Sequence, residues 1–197
     1  MFKDLSIVKK VKSFVVENKQ MILFVVRVAI IYIAWKIISW FLGEEKTPID
    51  DRVWPWLSTG WETFNDWVRI FILNATKLYF DLTGYSTHII NHRLIVDGLS
   101  YVGVGNYCLA IQLWVFFVAL ICSYPGKRIK KLWFSALGVF LINIINILRI
   151  IVIVYAAHYY PDKIQFNHDY IFNVVVYIFT FFMWIWWVKK INTSPEK

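Results

Sequence analysis

Residues 132–160 read LWFSALGVFLINIINILRIIVIVYAAHYY, and this stretch decides the class of fold. A helix of about 20 apolar residues crosses the roughly 30 Å hydrocarbon core of a bilayer, so the run is longer than one crossing requires. Asn143, Asn146 and Arg149 recur within it every three residues and therefore share one helix face. Because a charge inside a span costs on the order of 2.5–3.5 kcal/mol on insertion scales, this face is expected to point into the protein, towards a partner or a site.

Three further apolar runs lie at 21–42, 107–124 and 168–188. The chain is 59% hydrophobic and has only two cysteines, whereas a soluble domain is roughly 45–50% apolar. This composition argues against a soluble enzyme, a disulfide-stapled secreted domain and a disordered chain. It predicts an all-α integral membrane fold: a polytopic helical bundle with four spans, possibly five or six, formed by residues 1–197 as a single membrane domain.

The charges indicate the orientation of the bundle. The segments 1–20, 125–131 and 189–197 hold 12 Lys and Arg and 3 acidic residues, whereas the loops 43–106 and 161–169 hold 6 basic and 10 acidic residues. By the positive-inside rule the first set is cytoplasmic, together with both termini. The number of crossings between residues 42 and 107 must then be even, and zero is the simplest choice. The net charge of +8 is thereby explained as an orientation signal, without a nucleic-acid partner.

The outer loop 43–106 carries two predicted elements. Residues 61–82 form an amphipathic helix with a face of Glu62, Asp66, Arg69, Thr76 and Lys77 opposite an apolar stripe, which suits a helix on the outer membrane surface. The alternative is a fifth span, which breaks the charge pattern unless the N-terminus also changes side. Residues 93–102 form a short β-hairpin, for which Asp97-Gly98 predicts a type I′ turn.

Several single residues are candidates for chemistry. Cys108 is expected to open the second span at its outer end, where the free N–H groups of a helix start favour a thiolate; the alternative is an inert packing residue. Gln112 lies four residues on, on the same face. Arg27 and Lys36 lie near the ends of the first span, where both can extend to the interface. Arg149 lies deeper, and the alternative to a functional role is structural bonding to carbonyls.

The predicted topology brings three of these groups to one depth. Cys108, Arg149 and His168 all fall in or near the outer leaflet, although they are far apart in sequence. A thiolate that attacks a carbonyl, a cation that stabilises the oxyanion and an imidazole that moves the proton are the requirements of cysteine-dependent acyl transfer. A weaker alternative is a metal site built from the four histidines, but no metal-binding motif supports it. We therefore predict no metal and no cofactor. The four histidines are His88, His92, His158 and His168.

From Leu94 to Val188 the chain resembles the exosortase/archaeosortase family. The resemblance rests on the order and spacing of Cys108 at the start of a span, Asn146-Ile-Leu-Arg149-Ile in the next span and His168 before the last. The basic loop before the third span also fits. The residues after the cysteine, Leu109-Ala110-Ile111-Gln112, differ from the small residue and glycine that are common in the family, although Gln112 falls where a polar residue is frequent. The chain resembles a compact member that holds the family's core.

The resemblance implies a thiol protease or transpeptidase in the bacterial cytoplasmic membrane, with its active site facing outward. Its partners would be exported proteins that carry a C-terminal sorting signal (a short motif, an apolar helix and a basic tail) and membrane lipid. Cys108 would be the nucleophile, Arg149 the oxyanion stabiliser and His168 the general acid and base. Gln112, Asn143 and Asn146 would bind substrate or brace the site. The alternative function is a non-catalytic membrane assembly or scaffold protein, in which Arg149 and the asparagines hold helices together.

Overall fold

A computed structural model describes residues 18–42, 54–161 and 172–191 of the chain, and this part is mostly helical. Two long helices come first, followed by a small sheet and three further helices. A short 3₁₀ helix, Asn106–Leu109, precedes the third α-helix, and a π-helical turn, Trp187–Ile191, follows the last. The elements are α1 Lys19–Phe41, α2 Pro55–Leu82, β1 Thr87–Ile90, β2 Arg93–Val96, β3 Tyr101–Gly103, α3 Ile111–Ser123, α4 Arg128–Tyr159 and α5 Phe172–Trp186.

Two helices of the described residues, α1 and α4, are long and apolar enough to cross a membrane, with 23 and 32 residues. The helix α3 has 13 residues and is shorter than the predicted span 107–124. It begins only at Ile111 because Ala110 has a left-handed backbone with φ of 58°, which ends the preceding 3₁₀ helix. The regular helix therefore begins about one turn after residue 107, while the bounds of the second span stay a prediction. The count of four spans stays a prediction.

Aromatic contacts show which ends of the helices meet. Phe24 of α1 stacks on Trp184 of α5 with ring centroids 5.8 Å apart, and its edge meets Tyr124 beyond α3 at 6.0 Å. The start of α1 and the ends of α3 and α5 thus lie together, beside the loop that leads into α4. We call this the basic end, because Lys127, Arg128, Lys130, Lys131, Lys189 and Lys190 follow these helix ends in sequence.

The three strands cover the opposite end of the bundle, which we call the sheet end. Their order is β1-β2-β3, and both pairings are antiparallel. Apolar side chains of the sheet, including the fully buried Leu94, join one core cluster with residues of α2 and α4, such as Ile72 and Val154. Lys77 of α2 joins this helix to β1, because its ammonium donates to the Thr87 hydroxyl of β1 at 2.8 Å. The same ammonium donates to Asp81 of α2, also at 2.8 Å. The hydrogen bonds from Lys77 and Thr87 to the Asp81 carboxylate lower the pKa of that group.

The turns of the sheet differ from the predicted hairpin. Positive φ occurs at both Asn91 and His92, the two residues between β1 and β2, and this is the requirement of a type I′ turn. Between β2 and β3, Gly98 has positive φ and Asp97 does not, so the predicted type I′ turn at Asp97-Gly98 is wrong. The Asp97 N–H instead donates to Ser86 at 2.9 Å, which ties this loop to the approach of β1.

The helix α2 buries part of its polar face and exposes part of its apolar face. Its buried side includes the polar residues Asn65, Arg69 and Thr76, while large apolar residues such as Trp67 and Phe71 are more than half exposed. The face that the sequence marks as polar is thus turned partly into the protein. The helix contacts the sheet-end half of the bundle at both of its ends. Trp61 packs against Trp35 of α1 at 5.7 Å, and Phe80 packs against Tyr155 of α4 at 5.5 Å.

Candidate active site around Cys108

Cys108 lies in the 3₁₀ helix, one short segment ahead of α3. Its N–H donates to the Gly105 carbonyl at 2.9 Å, and its side chain, which forms no disulfide, is half-buried against the sheet-end core. Because Ala110 takes the left-handed conformation, its carbonyl accepts the first N–H groups of α3, from Leu113 and Trp114, both at 3.0 Å. The cysteine is therefore held in an irregular turn and not, as predicted, in the first turn of the span.

Asn146 connects the cysteine to α4. Its side chain is 1% exposed, and its Nδ2 donates to the Cys108 carbonyl at 2.7 Å across 38 positions of sequence. A polar group buried this deeply is stable only when it is hydrogen-bonded, so the pairing fixes the two segments relative to each other. Arg149 is half-buried and lies three residues further on, on the same face of α4. The structure thus brings Asn146 to Cys108, and helical geometry puts Arg149 on the same side of α4 as Asn146.

The other predicted site residues have different positions. Asn143 bonds within its own helix, with Nδ2 donating to the Val139 carbonyl at 2.8 Å. Its Oδ1 is buried and has no hydrogen-bond partner among the described residues. Gln112 is half-buried in the first turn of α3, four residues after Cys108. His168 lies outside the described residues.

A polar cluster that the sequence analysis missed lies next to this turn. Arg69 of α2 is 5% exposed, and its guanidinium donates to the side chains of both Asp66 and Asn106. Asn106 begins the 3₁₀ helix and stands two residues before Cys108. The ring Nδ1 of His92 lies 3.3 Å from Arg69 Nη1. A second buried side chain, from another helix, therefore holds the segment that carries the cysteine.

The contact with Arg69 assigns the tautomer of His92. A guanidinium has donors only, so Nδ1 of a neutral His92 must accept, and its proton must be on Nε2. That nitrogen faces the Asp66 carboxylate at 3.8 Å, which is beyond hydrogen-bonding distance. One feature of the sequence indicates part of this cluster: Asp66 and Arg69 are three residues apart on a predicted helix, a spacing that allows an ion pair. The same spacing is typical of exposed ion pairs, so the pattern could not show that Arg69 is buried.

The remaining histidines serve separate contacts. His88 pairs with Asp97 at 3.5 Å, and His158 at the end of α4 lies 3.1 Å from the Leu99 carbonyl. Within the part of the chain that the structure describes, no three His, Cys, Asp or Glu side chains are grouped so as to hold a metal ion.

Comparison with known families identifies the chain. The family model for transmembrane exosortase (EpsH) matches residues 52–187, more than half of the sequence. The chain belongs to the transmembrane exosortase family. The predicted resemblance is therefore confirmed, and the matched range contains both Cys108 and Arg69. Searches of curated proteins and of solved structures gave no match.

Membership places this exosortase among transmembrane proteins with a role in protein sorting. The family comprises cysteine-peptidase-like transpeptidases that act on proteins with C-terminal sorting signals. The apolar helices α1 and α4 agree with a membrane location. The cluster around Cys108 combines features that such chemistry uses: a half-buried thiol outside any disulfide, a backbone carbonyl held by Asn146, and Arg149 one helical turn from Asn146.

Proposed function

We propose that this exosortase is a membrane-embedded cysteine transpeptidase with Cys108 as its nucleophile. The Cys108 thiolate attacks the scissile carbonyl of the sorting signal, and the resulting oxyanion is stabilised by Arg149. His168 gives a proton to the leaving amine, so the peptide C–N bond breaks and a thioester remains on Cys108. An amine or hydroxyl of the cell envelope then attacks the thioester and releases the thiol.

The observation that carries this proposal is the hydrogen bond from Asn146 to the Cys108 carbonyl. It joins the two sequence elements on which the mechanism depends, because Arg149 lies one turn from Asn146 on the same face of α4. The effect of positioning on rate is large, since a displacement of about 1 Å can cost roughly 100-fold in catalysis. We assign Asn146 a bracing role for this reason, and we extend that role to Arg69, which holds Asn106.

We further propose that the sheet end faces outward from the bacterial cytoplasmic membrane and that both termini are cytoplasmic. Two observations support this topology. The three helix ends that meet at the basic end adjoin the basic segments, as the positive-inside rule requires of a cytoplasmic side. The helix α2 contacts the sheet-end half of the bundle through Trp61, Arg69 and Phe80, which suits a helix that lies at that surface and does not cross.

The decisive experiment is processing of a substrate. The exosortase is co-expressed with an exported protein from the same genome that ends in a short motif, an apolar helix and a basic tail. We expect Cys108→Ala, Arg149→Ala and His168→Ala each to abolish cleavage while the protein accumulates in membranes at the normal level. Cys122→Ala and His158→Ala are matched controls and should leave cleavage intact. Normal processing by Cys108→Ala would exclude the cysteine mechanism and favour a scaffold role.

The topology has a separate test that needs no substrate. Cys108 precedes α3 and Cys122 lies in its last turn, so nearly the whole helix, roughly 17 Å at about 1.5 Å per residue, lies between the two cysteines. A membrane-impermeant maleimide added to intact spheroplasts should label Cys108 and spare Cys122. Variants that retain one cysteine each identify the labelled site. Labelling of Cys122 alone would reverse the proposed orientation.

A further inference from the structure

An apolar groove runs along α3, between α1 and α4, and extends away from Cys108. Its cavity measures about 520 Å³. A second cavity of about 200 Å³ adjoins it towards the basic end, and Ile31 and Cys122 line both. The stretch from Trp114 to Ser123 spans nine residues, or roughly 14 Å of helix. The residues that line the larger cavity are Ile31, Trp114, Val115, Val118, Ala119, Cys122 and Val139.

The smaller cavity differs from the apolar groove because side chains that can donate hydrogen bonds line it. Ser123 lines it and is 3% exposed, yet its hydroxyl has no hydrogen-bond partner among the described residues. Arg27 of α1 lines the same cavity with an exposed side chain. Lys131 reaches this point from α4, where its ammonium donates to the Cys122 carbonyl at 2.9 Å. A buried hydroxyl and one cation therefore line the cavity where the apolar groove ends, and a second cation, Lys131, lies beside it through its hydrogen bond to Cys122.

Among the residues that the structure describes, the charged side chains near this cavity are all positive. The acidic residues that the structure describes all belong to α2 or the loop between β2 and β3, towards the sheet end: Glu62, Asp66, Asp81 and Asp97. Within residues 18–42, 54–161 and 172–191, no carboxylate pairs with Arg27 or Lys131. A buried hydroxyl without a partner destabilises the protein, so an acceptor oxygen from a ligand that bonds to Ser123 would stabilise this arrangement.

We propose that this groove binds an anionic phospholipid, with one acyl chain along α3 and the phosphate at Arg27, Ser123 and Lys131. The groove supplies an apolar channel of the length of a chain segment, and the cavity at its end supplies the donors that a phosphate accepts from. A substrate helix with a basic tail fits less well, since its charges would meet Arg27 and Lys131. The inference depends on the groove alone and stands apart from the catalytic proposal.

Lipid binding to the purified full-length protein tests this site. The protein in neutral detergent is titrated with dioleoyl phosphatidylglycerol or with dioleoyl phosphatidylcholine at equal concentrations. Native mass spectrometry then counts the lipid molecules bound to each protein molecule. We expect one phosphatidylglycerol to bind in preference to phosphatidylcholine. Each cation near an anionic lipid contributes a factor of about five, so Arg27→Gln and Lys131→Gln should each weaken the preference about fivefold. Lys36→Gln, on the same helix as Arg27 but outside the groove, is the matched control and should leave it unchanged.

The groove itself has an independent variant. Val118→Phe places a larger side chain in the cavity and should reduce binding of both lipids, whereas Val152→Phe adds the same volume at an exposed position of α4 and should have no effect. Glycerol 3-phosphate in excess should not displace the lipid, because it lacks the acyl chain. Equal loss of preference in Lys36→Gln, or full displacement by glycerol 3-phosphate, would overturn the proposal in favour of diffuse attraction or a simple anion site.

Discussion

Replacement of Arg69 by methionine should weaken the structure around Cys108, because Arg69 is a buried cation that holds Asn106. The side chain of Arg69 is 6% exposed, while that of Asp66 is 43% exposed. Methionine retains most of the apolar stem but removes every donor. Water can then solvate the Asp66 carboxylate, so the loss of its ion pair with Arg69 lowers the unfolding free energy by only about 0.5 kcal/mol, as for other exposed ion pairs. The Asn106 side chain loses a charged donor, which costs about 1.5–3 kcal/mol.

The expected loss of unfolding free energy is therefore about 2–3.5 kcal/mol for Arg69→Met. It is measured by titrating the purified protein from mild detergent into sodium dodecyl sulfate and following circular dichroism. A double-mutant cycle with Asn106→Ala isolates the pair, and its coupling energy should be about 1–2 kcal/mol because the two side chains touch. Alkylation of Cys108 in a Cys122→Ser background should become several-fold faster, since the 3₁₀ helix loses one of its two ties.

Arg93→Met is the matched control. Arg93 is exposed and lies over the Tyr101 ring at 5.9 Å, a contact worth about 0.5–1 kcal/mol at an exposed site. Its removal should leave Cys108 alkylation unchanged. The reasoning about Arg69 fails if Arg69→Met unfolds no earlier than Arg93→Met and its cysteine reacts at the wild-type rate. In that case other contacts position Asn106, and the buried guanidinium has no role at the site.

Three further predictions use the same measurements. Asn146→Leu leaves the Cys108 carbonyl without its donor and should lower the unfolding free energy by about 1–3 kcal/mol. Alkylation of Cys108 should become faster. If both the unfolding free energy and the alkylation rate are unchanged, Asn146 does not position the cysteine. Gly138→Ala should cost about 1–3 kcal/mol, because a Cβ there overlaps the fully buried Phe117 ring, and adding Phe117→Leu should restore part of the loss. Asp81 has a lowered pKa in the folded state, so its contribution to stability is present above about pH 4 and is lost as the pH falls through that lowered value. The difference between Asp81→Asn and wild type in acid titrations should therefore shrink as the pH falls, and a constant difference would contradict this role.

The sequence predicted, for a physical reason, that the face of α4 that carries Asn146 points into the protein. Asparagine and arginine at intervals of three within an apolar run must face the protein, because exposure of that face to lipid would be too costly. The hydrogen bond from Asn146 to Cys108 agrees with this expectation. The position of Arg149 one turn from Asn146 follows from the same spacing, since helical geometry alone puts both residues on one face.

The role of α2 could not be obtained in the same way. An amphipathic pattern shows that a helix has one polar and one apolar face. Which of these faces points into the protein depends on whether water or lipid surrounds the helix. In α2 the polar Arg69 and Thr76 are buried, while Trp67 and Phe71 are exposed. Sequence alone also favoured the type I′ turn at Asp97-Gly98. The pairing of His88 with Asp97 and the bond from the Asp97 N–H to Ser86 instead define that loop through contacts distant in sequence.

The break at Ala110 connects these two parts of the site. Alanine favours a regular helix, so nothing local predicts its φ of 58°. Irregular backbone near the membrane is stable only where the protein satisfies its polar groups. Here Asn146 of α4 supplies the donor for the Cys108 carbonyl, and Arg69 of α2 holds the start of the same turn. The left-handed residue thus places the cysteine in the 3₁₀ helix, outside α3, and the two buried side chains stabilise that placement. We therefore assign them a shared role in positioning the nucleophile.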